Sequence, residues 1–205
     1  MAEARSELSA EQLPEITFAE RIRRVWWTVP LTLVALLTDL VSKSMVFDRL
    51  GYPGRSTETY RWLGSLSTFR LYTSFNKGAL WGVGQELTWL FSALSVIAAG
   101  VIVYCLIGTS ANRSRWLRVA LSLVLSGTLG NLYDRLGLYK YKDPETGESI
   151  QAVRDFLFFT IGSYPWPVFN FADVFLVTGT GMLVAYSFWI EHQREATTGM
   201  TTTAG

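Results

Sequence analysis

The chain has 205 residues, a formal net charge of +1, 49% hydrophobic residues and only 17% charged residues. A charged fraction below the roughly 25% of soluble domains, together with 8 Trp, 9 Tyr and 12 Phe, favours a membrane protein with aromatic residues at the interfaces. One His and one Cys exclude an internal disulfide, a zinc site of clustered His and Cys, and a catalytic triad with a His base. The balanced charge gives no argument for nucleic acid binding. Any catalysis must therefore use carboxylates, Lys, hydroxyls or backbone groups.

Residues 1–25 carry mixed charges and no apolar core, so we predict a cytoplasmic N-terminal extension that is helical near Phe18–Arg24 and lacks a removable signal peptide. Four apolar segments follow, each near the roughly 20 residues that cross a bilayer. They are Trp26–Phe47, Leu87–Ile107, Trp116–Tyr133 and Val168–Ile190. Helices of a soluble bundle would show a polar face, and these segments have almost none. We therefore predict a four-helix transmembrane domain over 26–190 and a polar cytoplasmic tail over 191–205.

Arginine residues predict the orientation of these segments. The link between the second and third segments is short, and with four spans it lies on the same side as both termini. Several arginines crowd that side, which the positive-inside rule assigns to the cytoplasm: Arg21, Arg23, Arg24, Arg113, Arg115 and Arg118. The long links over 48–86 and 134–167 also hold five and four Lys or Arg, so the prediction rests on the short segments that flank the spans.

The long links contain signs of β-structure. Thr68–Thr73 alternates and is rich in β-forming residues, which predicts a strand. Tyr141–Ser149 has the composition of a turn and is flanked by Tyr139 and Ile150–Val153, which predicts a hairpin. Both features fall on the non-cytoplasmic side in the predicted orientation.

Polar residues stand in the apolar segments where ionisable groups are costly and are therefore candidates for function. Asp39 and Lys43 are one helical turn apart in the first segment, with the acid N-terminal to the base, which is the better order for pairing. This pair either neutralises itself within the helix or serves a site. Asn76 precedes the second segment and, like Asp39 and Lys43, lies toward the non-cytoplasmic surface in the predicted orientation.

Two Asn-x-x-Asp motifs flank the second long link. Asn131 and Asp134 end the third segment, and Asn170 and Asp173 begin the fourth, so each amide shares a helix face with its carboxylate. Two carboxylates at a partly dehydrated site share one proton, which lets one activate water while the other polarises a peptide carbonyl. The residues alone favour Asp134 and Asp173 as this pair. The local sequence of Asp155, an apolar and aromatic run, favours an exposed loop acid.

Five motifs, in this order, resemble the lipoprotein signal peptidases (signal peptidase II) of bacteria. They are Asp39-Leu40-Val41-Ser42-Lys43, Phe75-Asn76-Lys77-Gly78-Ala79, Gly130-Asn131-Leu132-Tyr133-Asp134-Arg135, Val153-Arg154-Asp155-Phe156 and Phe169-Asn170-Phe171-Ala172-Asp173. The resemblance implies an all-α integral membrane fold of four transmembrane helices, with a small extracytoplasmic β-sheet and a loop over the site. It also implies an aspartic endopeptidase of the bacterial cytoplasmic membrane that cleaves diacylglyceryl-modified prolipoproteins just before the lipidated Cys.

The resemblance further implies the roles of single residues. The catalytic acids are Asp155 and Asp173, which moves the choice away from Asp134. The substrate-binding or supporting positions are Asn76, Gly78, Asn131, Arg135, Asn170, Ala172, Asp39, Lys43 and Asp134. Of these, Arg135 is expected to donate to a substrate carbonyl, and Asp134 to orient Arg135 or to cap its helix.

The resemblance implies no metal and no cofactor. The expected partners are prolipoproteins and membrane lipid, with no nucleic acid, and the protein is expected to be a monomer. The chain departs from the family pattern in an insert over 139–151, in bulky residues over 77–81 and in its N-terminal extension.

A small proton-coupled carrier is the alternative function, since acids within a membrane also serve proton relays. A carrier needs acids near the middle of the membrane with access from both sides. The predicted topology instead places the acids at one surface, with the active site near the extracytoplasmic side and both termini in the cytoplasm.

Overall fold

A computed structural model describes residues 17–62, 67–78, 87–109 and 114–202. Within these residues the helices are α1 (Phe18–Val25), α2 (Thr28–Leu50), α3 (Thr88–Gly108), α4 (Arg115–Arg135) and α5 (Phe171–Thr202). The strands are β1 (Tyr60–Trp62), β2 (Ser67–Asn76), β3 (Val153–Ile161) and β4 (Tyr164–Pro165). The predictions made for 1–16, for 79–81, for Arg113 and for 203–205 lie outside the described residues.

Local sequence explains where several helices begin and end. Thr17 and Glu20 form a reciprocal capping box at the start of α1, which satisfies two otherwise unpaired backbone N–H groups. This confirms the helix predicted near Phe18–Arg24. Ser114 accepts a hydrogen bond from the backbone N–H of Leu117 at the start of α4.

Three helices in the described part of the chain are long and apolar enough to cross a membrane: α2, α3 and the Phe171–Gln193 part of α5. Helix α2 shows the inverted pattern of a helix in lipid. Its exposed side is apolar at successive turns, at Val29, Leu33, Leu37, Val41 and Met45. Its buried side contains Asp39 and Lys43, both 0% exposed. A helix in water would bury apolar groups and expose charged ones, so the pattern indicates a membrane protein, as predicted.

Helix α4 lies at the centre of the bundle, in contact with α2, α3 and α5. It is not among the three strongly apolar helices. Three of the four predicted transmembrane helices are therefore confirmed as long and apolar enough to cross a membrane. Its polarity has a structural reason, because much of its length is buried against the other helices. The buried polar residues include Ser122, Ser126, Thr128, Asn131 and Asp134.

Helices α4 and α5 approach closely at glycine positions. A Cβ on Gly127 would overlap the carbonyl oxygen of Ala172. A Cβ on Gly179 would lie 2.7 Å from the carbonyl oxygen of Ala120 and from Cγ2 of Val124. Both positions therefore need a residue without a side chain.

The four strands form one antiparallel sheet in the order β1-β2-β3-β4. The main pair is β2 with β3, in which Phe69 lies opposite Phe159 and Phe75 lies opposite Arg154. The sheet contacts α2 and α4, and Arg154 on β3 reaches Ser44 near the end of α2. The sheet is therefore attached to the end of the bundle where α2 and α4 finish.

The fold is a mixture of helices and a small antiparallel sheet, so the all-α description is too narrow. The predicted strand over Thr68–Thr73 is confirmed within β2. The predicted hairpin is a turn closed by an isolated bridge between Lys142 and Ser149. Asp143 shapes this turn, because its Oδ1 accepts the backbone N–H groups at 145 and 146.

We predict that Gly179→Ala destabilises the protein by about 1–3 kcal/mol, the usual effect of overpacking a close contact. Thermal unfolding in detergent micelles measures the change. Gly181→Ala is the matched control on the same helix, since nothing lies within 4 Å of a Cβ built there, and it should leave Tm unchanged or slightly raised. Equal Tm values for the two variants would contradict the close approach of α4 and α5.

Candidate active site

Asp155 and Asp173 are brought to one place by Asn170. Asp155 lies on β3 and is 3% exposed, and Asp173 lies in the first turn of α5. The Asn170 side chain donates from Nδ2 to Asp155 Oδ1 at 2.6 Å, and its backbone N–H donates to Asp173 Oδ2 at 3.1 Å. One residue therefore holds a carboxylate from the sheet and a carboxylate from a helix.

The orientation of Asn170 is set by the start of α5. Its Oδ1 accepts the backbone N–H of Asp173 at 3.0 Å, so the two residues form a capping box. Because the carbonyl oxygen is occupied by this bond, the amide NH₂ must face the other way, toward Asp155. The cap that begins the helix thus also aims a donor at the site.

Asn131 on α4 is oriented in the same manner. Its Oδ1 accepts a hydrogen bond from Lys43 Nζ at 3.1 Å and another from Asn170 Nδ2 at 3.2 Å. Its Nδ2 is therefore left to donate to Asp173 Oδ1, at 2.9 Å. A cation in α2 thereby determines which atom of Asn131 faces the acid.

Asn76, at the end of β2, supplies a second amide donor to Asp155. Its Nδ2 donates to Asp155 Oδ2 at 3.1 Å, and its Oδ1 accepts the backbone N–H of Gly78 at 3.1 Å. Gly78 is buried and closes a tight turn around the Asn76 side chain. Both oxygens of Asp155 therefore have amide partners.

The two acids have different surroundings. Burial, and secondly the nearby Asp173 carboxylate, raises the pKa of Asp155 to about 8. Asp173 accepts two N–H groups and lies at a helix N-terminus, where the helix dipole stabilises an anion. A pair of neighbouring carboxylates that shares one proton can supply both a general acid and a general base.

Four buried charged side chains form an ion-pair chain beside these acids, which we call the ion chain: Asp39, Lys43, Asp134 and Arg154. Lys43 Nζ lies 2.7 Å from Asp39 Oδ2 and 3.2 Å from Asp134 Oδ2. Arg154 donates from Nε and Nη2 to Asp134 Oδ1 at 3.0 and 2.8 Å. All four are at most 2% exposed, and two carboxylates balance two cations, as buried charges require.

The ion chain joins α2, α4, β3 and α5. Asp39 Oδ1 accepts the backbone N–H of Ala172 at 2.8 Å, which ties α2 to the first turn of α5. A Cβ on Gly130 would overlap Asp39 Oδ2, so glycine at this position of α4 leaves the space for that carboxylate. The backbone N–H of Arg154 also donates to Asp134 Oδ2, at 3.0 Å.

Arg135 presents a donor near the acids. Its guanidinium lies over the Phe91 ring, 5.6 Å from the centroid. Its Nε is buried and, among the described residues, has no hydrogen-bond partner. Asp173 and Asp155 are the two charges that act on it most strongly. This Nε is therefore available to an acceptor that enters beside the two carboxylates.

The structure places the predicted site residues together at one end of the bundle and corrects two expectations. Asp155 is a buried strand residue rather than an exposed loop acid. Asp134 binds Lys43 and Arg154 rather than Arg135. Of the loop expected over the site, residues 79–86 lie outside the described part.

Sequence reasoning did not single out Arg154, which is a full member of the ion chain. The signal lay in strand alternation, since neighbouring residues of a strand point to opposite faces. Once Asp155 faces Asn76, Arg154 must face away from it, toward α2 and α4. Its guanidinium there meets Asp134 and Ser44.

The chain is similar to proteins of known family. Residues 31–189 match the family model described as Signal peptidase (SPase) II. A lipoprotein signal peptidase of Rhodopirellula baltica is 40% identical over 73% of this chain and 66% of its own length. One of Psychromonas ingrahamii is 30% identical over 89% of this chain and 94% of its own. A solved structure described as a bacterial membrane enzyme shares the fold at a TM-score of 0.63 and 24% identity, over 80% of this chain and 88% of that chain.

We predict that Asp134→Asn destabilises the protein by about 3–5 kcal/mol, because removing one member of a buried ion pair leaves its partners uncompensated. The partners here are Lys43 and Arg154, and thermal unfolding in micelles reports the loss. Asp48→Asn is the matched control, since Asp48 pairs with Lys140 and both side chains are at least half exposed. Its Tm should change little, and an equal loss in both variants would argue against a stabilising ion chain.

Proposed function

This chain belongs to the signal peptidase II family, and we propose that it is an aspartic endopeptidase that removes signal peptides from diacylglyceryl-modified prolipoproteins just before the lipidated Cys. Its relatives carry the name lipoprotein signal peptidase, which supports prolipoproteins as the substrates. The aspartic mechanism is supported above all by Asn170, which donates hydrogen bonds to both Asp155 and Asp173. No metal or cofactor enters this proposal.

In the proposed reaction, Asp173 takes a proton from water as the water oxygen bonds to the scissile carbonyl carbon. Asp155 gives its proton to the carbonyl oxygen in the same step. When the tetrahedral intermediate collapses, the carbon–nitrogen bond breaks, Asp173 protonates the leaving nitrogen, and Asp155 regains the hydroxyl proton. Both acids finish in their starting states.

The supporting residues keep each acid in its role. Asn131 and the backbone of Asn170 donate to Asp173, which stabilises its anionic form. Lys43 acts through Asn131, whose carbonyl oxygen it holds. Arg135 is the proposed donor to a substrate carbonyl, since its buried Nε has no partner among the described residues.

In the proposed topology α4 is a fourth transmembrane span, shielded from lipid by α2, α3 and α5. With four spans, both termini and the link over 109–114 share one side. The arginines at that end of the bundle, Arg21, Arg23, Arg24, Arg115 and Arg118, assign it to the cytoplasm. The acids at the other end then lie near the extracytoplasmic surface of the bacterial cytoplasmic membrane.

Residues 26–190 form the proposed peptidase domain, with cytoplasmic segments over 1–25 and 191–205. The proposed working unit is a monomer in contact with membrane lipid, because one chain supplies all the site residues. We do not favour the carrier alternative, because Asp155 and Asp173 lie on β3 and in the first turn of α5, at the end of the bundle rather than along a path through it.

We predict that Asp155→Asn and Asp173→Asn each reduce cleavage of a diacylglyceryl-modified prolipoprotein by at least about 10³-fold, because each removes a proton-transfer group. Purified variants in micelles are assayed by the shift of the substrate on a gel. Glu145→Gln, at an exposed position of the insert, is the control and should cleave normally. Near-normal turnover by either site variant would refute the aspartic mechanism.

We predict that kcat/KM falls as pH rises above about 8, because the protonated acid of the pair is then lost, as follows from the pKa of Asp155. A raised pKa in the folded state also means that folding stability declines as pH rises toward that value. This decline falls between the ordinary pKa of 3.8 and about 8, below the range in which kcat/KM falls. Tm is therefore measured across that lower range in the wild type and in Asp155→Asn, which should lack this decline. A value of kcat/KM that stays constant up to about pH 10 would contradict a proton shared by Asp155 and Asp173.

A further inference from the structure

The insert over 139–151 packs against the strand pair that carries Asp155. Tyr139, Ile150 and Ala152 are buried at its base, and Phe75 of β2 packs against them. The Tyr139 ring is stacked on the Phe75 ring at a centroid distance of 6.0 Å. The insert is therefore part of the structure beneath the site and not a separate surface hairpin.

Aromatic rings join the insert to α2 as well as to β2. Phe47, near the end of α2, is 0% exposed and lies 5.4 Å from the Phe75 ring and 5.8 Å from the Tyr141 ring. The Tyr52 ring meets Phe75 edge-on at 5.8 Å. These five rings, Phe47, Tyr52, Phe75, Tyr139 and Tyr141, form what we call the aromatic cluster.

Two phenol hydroxyls fix the cluster in place. Tyr139 donates to the carbonyl oxygen of Ala152 at 2.8 Å, at the start of β3. Tyr141 donates to the carbonyl oxygen of Phe47 at 2.6 Å, at the end of α2. Burial raises the pKa of both phenols, so each hydroxyl keeps the proton that it donates.

The aromatic cluster lies on one face of the β2–β3 pair, and the site lies on the other. Phe75 is paired with Arg154, and the Arg154 guanidinium lies 4.5 Å from the centre of the Tyr139 ring. The next residue on each strand, Asn76 and Asp155, points to the opposite face. There the two side chains are hydrogen-bonded to each other. Contacts that fix the positions of Phe75 and Arg154 therefore also affect the distance between Asn76 and Asp155.

We propose that the 139–151 insert is a brace for the active site and that Tyr139 and Tyr141 are positioning residues for the Asn76–Asp155 hydrogen bond. The Tyr139 ring covers Phe75 and Arg154 together, so it links the two strands directly behind that bond. Tyr141 anchors the same cluster to α2, which also carries Asp39 and Lys43. This role rests on the proposed function of Asp155 as a catalytic acid.

A double-mutant cycle tests the brace. Tyr139→Leu removes the ring and the hydroxyl, and we expect kcat for prolipoprotein cleavage to fall about tenfold or more, since small misplacements of catalytic groups have effects of this size. KM should stay within about threefold, since Tyr139 packs against Phe75 and Arg154 on the face of the strands away from the two acids. Tyr139→Phe, which keeps the ring, should restore most of the lost rate.

The decisive measurement is the effect of Tyr139→Leu in an Asn76→Ala background. If Tyr139 acts through Asn76, its effect on kcat should shrink to less than about threefold there, because the two changes remove the same constraint. An equal loss of kcat in both backgrounds, or a change in KM alone, would overturn the proposal. If Tyr139→Leu does not fold, Tyr141→Phe, which loses only a hydroxyl, enters the same cycle and is judged by the same criterion.

Matched controls separate the brace from general damage. Tyr164→Phe makes the same chemical change as Tyr139→Phe and Tyr141→Phe, at a half-exposed position of β4. Glu145→Gln alters an exposed part of the insert. Neither should change kcat. Asp155→Asn on the same substrate reports on the proposed function: normal cleavage by it would refute the catalytic role. An inactive Asp155→Asn with additive Tyr139 and Asn76 effects would refute only the brace.

Discussion

The Lys43 ammonium is the interaction on which the site end of this protein depends. It lies within ion-pair distance of the carboxylates of Asp39 and Asp134 and donates a hydrogen bond to the amide oxygen of Asn131. A buried ammonium is tolerated only when opposite charges and polar groups surround it. Since its partners come from α2 and α4, and since Asp39 and Asp134 reach on to α5 and β3, this requirement fixes four elements relative to one another.

The same network explains how two carboxylates can stand close together in a largely apolar protein. Asp173 is stabilised as an anion by the start of α5 and by Asn131, whereas Asp155 is buried on a strand with only amide partners. Burial raises the pKa of Asp155 and so favours its protonated form. Burying Asp155 lowers the stability of the fold. The ion chain beside it offsets this loss, because its contacts hold the helices and the strand together.

The helices are not the only support for Asp155. The insert over 139–151 adds Tyr139 and Tyr141 to the face of the sheet that lies away from the acids. A sheet of four short strands is a weak scaffold by itself, and aromatic side chains provide large contact areas with few rotatable bonds. An aromatic brace is a simple physical way to stiffen such a strand pair.

Local pattern was sufficient for the elements that depend only on neighbouring residues. The apolar runs predicted α2, α3 and α5, alternation over Thr68–Thr73 predicted β2, and spacing predicted the Asp39–Lys43 ion pair, which the structure confirms. Helix α4 was predicted from its apolar run, yet its polar residues keep it out of the strongly apolar class. Its burial in the bundle, which permits those residues, is a property of packing.

The arrangement of the acids was decided by the tertiary structure. Asp134 and Asp155 are both acids near apolar sequence, and the Asn-x-x-Asp spacing alone favoured Asp134. In the fold, β3 brings Arg154 to Asp134 and turns Asp155 toward Asn170 and Asn76. Sequence by itself therefore determined the family and the residues available for chemistry. The family resemblance already implied Asp155 in place of Asp134, but only the folded chain shows the physical reason. Which carboxylate is neutralised by a cation and which is left beside Asp173 depends on contacts between segments far apart in sequence.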